Sequence, residues 1–311
     1  MPLLLALFFK IILNCGAKFT FHDGIYMKKN VNDIKRLLSD SDTLERKLSV
    51  LREHYDGCDV VILTAGPSIN QIGIDKLKGF LVGKLVIAVK QTYYLAPELV
   101  DIHLLNPFNY QTYDYGAFTP IVINVSLSNS KFSLPDGMVD LEFQIDAEKT
   151  KREDSLASTR RYDDYLLDES AVRPFGPGIM YELGIYIPVL VNASTVTIFG
   201  WDIGSKTENS IDRFYESRSL SKLIQGLMMK LSIKWYNKYY VRIHNIVNVI
   251  LHKYLGLNVV LNNPGITDNE ATFIADSTND LYKWFESKNI YPKIVSETSM
   301  VHPVFTRVRI D

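Results

Sequence analysis

Residues 60–63, Val-Val-Ile-Leu, form a continuous apolar run that stops abruptly at Thr64-Ala65-Gly66-Pro67-Ser68. A run that is apolar at every position, rather than at alternate ones, predicts a strand covered on both faces, as in a parallel sheet flanked by helices. Gly66 lets main chain come close to a ligand without a Cβ in the way. Pro67 suits a first helical turn, and Ser68 sets a hydroxyl beside main-chain N–H groups. Such a turn is a candidate phosphate cradle, although plain packing of strand on helix produces the same pattern.

Further strands are expected over 84–89, 100–105, 121–125, 195–199 and 257–261, with a helix or turn near 69–78 and helices over 32–54, 179–192, 219–254 and 279–288. The β-α-β rhythm predicts an α/β protein with a mostly parallel sheet. The organisation expected is an N-terminal helical extension over 1–55 and a nucleotide-sugar-binding α/β domain over 56–311. Within that domain, 126–172 reads as a polar, exposed insertion and about 203–240 as a lid. The apolar stretch 1–13 is too short to span a bilayer and lacks a basic leader region, so it reads as a membrane-surface helix or a buried element.

The net charge of −1 argues against a nucleic-acid partner held by bulk electrostatics. Cys15 and Cys58 are too few for a disulfide framework and fit a reducing, cytoplasmic compartment. The six histidines show no paired spacing, so no metal site is expected. No G-x-G-x-x-G, Walker-type or G-x-S-x-G motif is present.

In an open parallel sheet, ligands bind beyond the carboxyl ends of the strands. The strands above end in Thr64 to Ser68, Lys90-Gln91, Asn106-Pro107, Asp202 and Asn262-Asn263. Singly these are ordinary strand-end caps; together they predict one polar cleft. Lys90 can neutralise a phosphate, and Gln91, Asn106 and Asn262 carry the paired donors and acceptors suited to a base or sugar.

The order Gly66-Pro-Ser68, Val89-Lys-Gln91-Thr-Tyr-Tyr94, Asn106-Pro107, Gly178-Ile-Met-Tyr181, Gly200-Trp-Asp202 and Asn262-Asn-Pro264 resembles the bacterial CMP-sialic acid-dependent sialyltransferases of glycosyltransferase family 42. The resemblance spans roughly residues 58–265. It implies a single Rossmann-like domain, a variant of the GT-A type with a lid, that transfers sugar from a CMP-activated donor with inversion and without a metal. It further implies that Thr64, Ala65, Gly66, Pro67, Ser68, Lys90, Gln91, Asn106, Pro177, Gly178, Asp202 and Asn262 border the nucleotide. The chain departs from the family at Thr64-Ala65, where Gly-Asn is usual, at Lys90, where Asn is usual, and at Gly176-Pro177, where Thr-Ser is usual. The lid histidine is missing, since no His lies between 104 and 243. Proteins related to motility accessory factors and to 6-hydroxymethylpterin pyrophosphokinase carry a similar glycine turn and form the alternative class.

Transfer from a CMP-sugar requires a phosphate pocket, a base for the acceptor hydroxyl and exclusion of water. Lys90, Ser68 and Tyr215 are the expected phosphate partners, with Arg218 beside them in the lid. His302 and Glu216 are the expected bases. The expected partners are the CMP-sugar and an oligosaccharide or glycolipid acceptor, with peripheral contact to the inner membrane face and self-association as further expectations.

Overall fold

The computed structural model of the protein describes residues 31–106, 113, 115–127, 137–146, 148–149, 151–168, 170–204 and 268–310. The expected helix over 32–54 is two helices, α1 (Val31–Ser39) and α2 (Leu44–Tyr55). The break comes at Thr43, whose side chain accepts the Arg46 N–H and caps the second helix. Ile34 and Leu38 of α1 and Leu48, Leu51 and Tyr55 of α2 are buried, four or so residues apart, so both apolar stripes face the sheet.

Strand β1 (Asp59–Leu63) follows, then a 3₁₀ turn over Pro67–Gln71, helix α3 (Ile74–Leu81) and strand β2 (Leu85–Val89). A second 3₁₀ turn, Lys90–Leu95, leads on to β3 (Ile102–Leu105) and β4 (Ile121–Leu127). The segment 126–172, expected to be an exposed insertion, instead extends the sheet. It contributes β5 (Leu141–Ile145), the short helix α4 (Leu156–Thr159) and the start of β6 (Val172–Arg173). In β5, Leu141, Phe143 and Ile145 are buried while Glu142 and Gln144 are exposed, so one face of the strand meets solvent and the polar residues belong there.

The expected helix over 179–192 begins as a π-helical turn, Met180–Gly184, and continues as α5 (Tyr186–Leu190). After β7 (Thr195–Phe199), the description resumes at α6 (Asp268–Ser287), β8 (Pro292–Val295) and β9 (Thr306–Arg307). Residues 1–13, the lid beyond 204, residues 219–254 and the expected strand over 257–261 lie outside the described residues.

The nine strands form one sheet in the order β6-β5-β4-β3-β2-β1-β7-β8-β9, and every pairing is parallel. This is a Rossmann-like arrangement: the chain builds outward from β1 in one direction, returns, and builds outward from β7 in the other. The direction reverses between β1 and β7, the switch point at which open α/β sheets form their ligand crevice. One face of the sheet carries α1, α2, α5 and α6 over Val60, Ile62, Ile87 and Leu104; the other carries α3 and Tyr93 over Val61, Leu63 and Ala88. Among the described residues no helix is long and apolar enough to cross a membrane.

Candidate functional site

Strands β3, β2, β1 and β7 are consecutive neighbours, so Asn106, Lys90-Gln91, Thr64–Ser68 and Gly200–Asp202 line one edge of the sheet. Three inter-strand steps separate the ends of that row, about 14 Å, a span comparable to a nucleotide with an attached sugar. The sheet thereby brings together nearly all the strand-end residues that the sequence singles out within the described segments.

At the crevice the two loops interlock. Gly66 N–H donates to Gly200 O at 2.8 Å, and Thr64 N–H and Thr64 Oγ1 both donate to Phe199 O at 2.9 Å. The Asp202 carboxylate reaches across: one oxygen accepts the Ser68 N–H at 2.6 Å and the other accepts the Ser296 hydroxyl at 2.5 Å. Ser68 Oγ donates to Val295 O at 3.4 Å. The donors of the Gly66 turn that were expected to cradle a phosphate are therefore engaged within the chain, the Ser68 N–H by a carboxylate and the Gly66 N–H and Ser68 hydroxyl by main-chain carbonyls. Asp202 acts as an internal anion at the start of the 3₁₀ turn, where the exposed N–H groups favour negative charge. Ala65 and Pro67 lie in this turn, and Thr64 and Ser68 are buried beside it.

The neighbouring strand ends present a different chemistry. Lys90 is held at φ +52°, a left-handed conformation in a residue other than glycine, and such strain gathers at functional sites. Its carbonyl accepts from His103 Nε2 at 2.7 Å, while His103 Nδ1 lies 2.9 Å from the Tyr115 hydroxyl. Burial pushes the His103 imidazole down to about 3, against the raising effect of the Lys90 main chain. The neutral ring therefore donates from Nε2 and accepts from Tyr115 at Nδ1. Tyr93 stacks on it with ring centroids 5.2 Å apart. Thr92 Oγ1 accepts the Val89 N–H at 2.8 Å and lies 2.9 Å from Leu63 O, which fastens the Lys90–Leu95 turn to β1. Gln91 is buried in that turn.

Asn106, buried at the end of β3, donates from Nδ2 to Glu182 Oε2 at 3.1 Å, and its Oδ1 is buried without a hydrogen-bond partner among the described residues. Glu182 sits in the π-helical turn, a feature frequent at functional sites. Burial pushes its carboxyl up to about 7, although the Asn106 amide, the Lys90 charge and the Gly176 N–H all favour the ionised form. A Cβ on Gly176 would lie 2.8 Å from Tyr181 Cβ and 3.4 Å from Glu182 Cγ, so glycine is what lets this strand of chain close over the carboxylate. The turn is anchored from beneath by Arg173, which is fully buried. Arg173 donates to the main-chain oxygens of Glu182 (3.0 Å), Ser170 (3.1 Å) and Tyr165, and its guanidinium packs on the Tyr186 ring. Gly178 O receives the N–H groups of Tyr181 and Glu182 and so starts the turn that Pro177 leads into.

Among the described residues His302 makes no hydrogen bond to Lys90, Asn106, Glu182 or Asp202. Its N–H donates to Thr278 Oγ1, and its exposed ring accepts the Val304 N–H. Two residues earlier, Met300 lies beside Ala271 and bonds to Ile203 O. Tyr215, Glu216, Arg218 and Asn262 lie outside the described residues. Among the described residues no group of three His, Cys, Asp or Glu side chains is placed to hold a metal ion. Glu182 and His103 are not among the residues that the strand-end pattern of the sequence picks out. Each is a lone polar group inside an apolar run, and that pattern was the available signal.

The two buried groups make opposite demands on pH. His103 is neutral in the fold but takes up a proton on unfolding below its ordinary 6.5, so its contribution to stability declines as pH falls through that value. Glu182 is protonated in the fold below about 7 yet ionised when unfolded above its ordinary 4.5, so its contribution declines as pH rises between the two. Each slope approaches roughly 1.4 kcal/mol per pH unit, and between pH 4.5 and 6.5 they oppose each other. Urea denaturation of Glu182→Gln across that range is therefore expected to show stability rising more steeply with pH than in the unmodified protein. Parallel pH profiles for the two would show that Glu182 does not titrate in the fold.

No protein-family model matches the chain, and no curated protein matches it. Comparison with solved structures finds the MAf glycosyltransferase from Magnetospirillum magneticum AMB-1, at 13% identity and a TM-score of 0.26. The match covers 58% of this chain and 29% of that one, so the chain spans less than a third of that protein's length.

Proposed function

We propose that this protein is a glycosyltransferase that takes a sialic acid or a related nonulosonic or Kdo-type sugar from a CMP-activated donor and passes it to an acceptor glycan. The observation that carries the reading is the row of Lys90, Asn106 and buried Glu182 beside the β1/β7 crevice. With Asp202 already on the Ser68 N–H, the phosphate belongs on Lys90 rather than in the Gly66 turn. Lys90 offsets the charge that grows on the departing CMP, a task a metal would otherwise perform. Asn106 and Gln91 contact base and sugars; the roles expected of Asn262, Tyr215 and Arg218 rest on the sequence alone, since these residues lie outside the described ones. The order of motifs shared with the family 42 sialyltransferases supports the CMP donor, inversion and metal independence. The acceptor, on the same analogy, is a surface glycolipid or capsule precursor met at the inner membrane face by a cytoplasmic enzyme.

A thermal-shift panel of CMP, UDP, GDP and ATP, each with and without EDTA, tests this reading. Stabilisation by CMP that persists in EDTA is expected. Stabilisation by ATP and Mg²⁺ alone would overturn it in favour of a pyrophosphokinase-like activity. Because the exposed His302 ring bonds only to the Val304 N–H among the described residues, His302→Ala is expected to leave CMP affinity and turnover within about threefold. A general base would cost ~10²–10⁴ in rate, and a loss of that size would return His302 to the mechanism in preference to Glu216.

A further inference from the structure

We propose that Glu182 is the positioning residue that fixes the Asn106 carboxamide, so that Asn106 Oδ1 faces the ligand as an acceptor and selects a nucleotide presenting an N–H or O–H donor there. The inference rests on the nucleotide reading above. Its starting point is the orphan acceptor: Asn106 is 6% exposed, and its Oδ1 is buried with no hydrogen-bond partner among the described residues. A buried oxygen in that state calls for an explanation, since its desolvation is not offset within the protein. The other end of the same amide is engaged, because Nδ2 donates to Glu182 Oε2 at 3.1 Å.

An ionised carboxylate can only accept, so it admits the amide in one orientation, nitrogen inward and oxygen outward. A protonated carboxyl can donate as well, and then tolerates the amide turned over. The charged groups around Glu182 are Lys90 at the end of β2 and Arg173 on β6. Lys90 acts through its charge, and Arg173 meets the Glu182 main-chain oxygen rather than the carboxylate. Asn106 on β3 and the Gly176 N–H supply the neutral donors. His103, neutral and bonded to Lys90 O, reaches the pair only through the Lys90 main chain. The orientation should therefore tighten as pH rises through about 7, where Glu182 ionises.

The donor on the ligand can come from the base or from the ribose, and three probes separate the two. CMP against UMP replaces the exocyclic amine with a carbonyl, and CMP against 2′-deoxy-CMP removes one hydroxyl. Calorimetric titration of the full chain is expected to show about tenfold to a hundredfold preference for CMP over one of these two, greater at pH 8 than at pH 6. In Glu182→Gln, whose amide can donate or accept, the preference should fall below about threefold and lose its pH dependence. Asn106→Leu should abolish it, and adding Glu182→Gln to Asn106→Leu should change nothing more, because Glu182 acts through Asn106.

A second readout requires no ligand. The side-chain amide resonance of Asn106, assigned by its loss in Asn106→Leu, should titrate with a midpoint near pH 7 in the unmodified protein and stay flat in Glu182→Gln. If CMP binds but Glu182→Gln keeps both the preference and its pH profile, the positioning role is refuted. If no nucleotide binds the unmodified protein, the nucleotide reading itself fails. The amide titration then decides by itself whether Glu182 orients Asn106, and a flat trace refutes it.

Discussion

Gly66→Ala and Gly200→Ala are each expected to lower the melting temperature by roughly 6–12 °C, an effect of about 3 kcal/mol read at 2–4 °C per kcal/mol. The two glycines face each other where the chain changes direction across the sheet. A Cβ on Gly66 would stand 2.2 Å from Gly200 O and 2.4 Å from Asp202 Oδ2, and one on Gly200 would stand 2.4 Å from Thr64 O. None of these is the free end of a flexible side chain. Two are main-chain oxygens, and the third is held by Ser68 N–H. Gly200 also has φ +65°, which adds about 1–2 kcal/mol for any side chain. Relief would require the β1 and β7 loops to part, breaking the Gly66 N–H to Gly200 O bond and the Asp202 contacts. Because both substitutions intrude into one gap, the double variant should cost less than the sum of the two. Scanning calorimetry checks this, and a shift below about 2 °C for both single variants would show that the loops are not locked together.

That interlock also marks how far the sequence could be read. The runs at 60–63, 84–89 and 195–199 were legible as strands because a strand buried on both faces is apolar throughout, and these three form the centre of the sheet. Strand β5 is hard to tell from loop although Leu-Glu-Phe-Gln-Ile alternates strictly, since its exposed polar residues merge with those of the flanking loops. Strand β8 opens on Pro292 and spans four residues, too few to establish a period. Among the site residues, the rule that strand ends carry function located Lys90, Asn106 and Asp202, but it is silent on residues held by helices. Glu182 lies one turn inside the helical stretch that follows Gly178, where Ile-Met-Tyr-Glu-Leu-Gly-Ile-Tyr-Ile offers a single charge in an apolar setting. A charge there must be buried, and a buried carboxyl has its proton affinity changed. The role of Asp202 could not be read at all. Its partner Ser68 lies 134 residues away, and only the adjacency of β1 and β7 makes them meet.

Lys90 provides the sharpest separation of stability from function. Lys90→Ala is expected to weaken CMP binding about tenfold to a hundredfold, the loss of one charge-assisted contact, with little change in melting temperature. Lys90→Gly should weaken binding equally while raising the melting temperature by about 2 °C. The difference follows from φ +52°: a left-handed residue with a Cβ costs about 1–2 kcal/mol. Glycine removes that cost and returns about half of it as chain entropy in the unfolded state. The strain persists in the unmodified protein because the Lys90 carbonyl is held by His103, which is itself fixed between the Tyr115 hydroxyl and the Tyr93 ring. The Lys90 charge also favours the ionised form of the Glu182 carboxyl. Calorimetric titration and thermal scans of the two variants side by side are decisive. Unchanged CMP affinity in Lys90→Ala would remove Lys90 from the phosphate site, and a melting temperature that falls in Lys90→Gly would show that the left-handed backbone is not under strain.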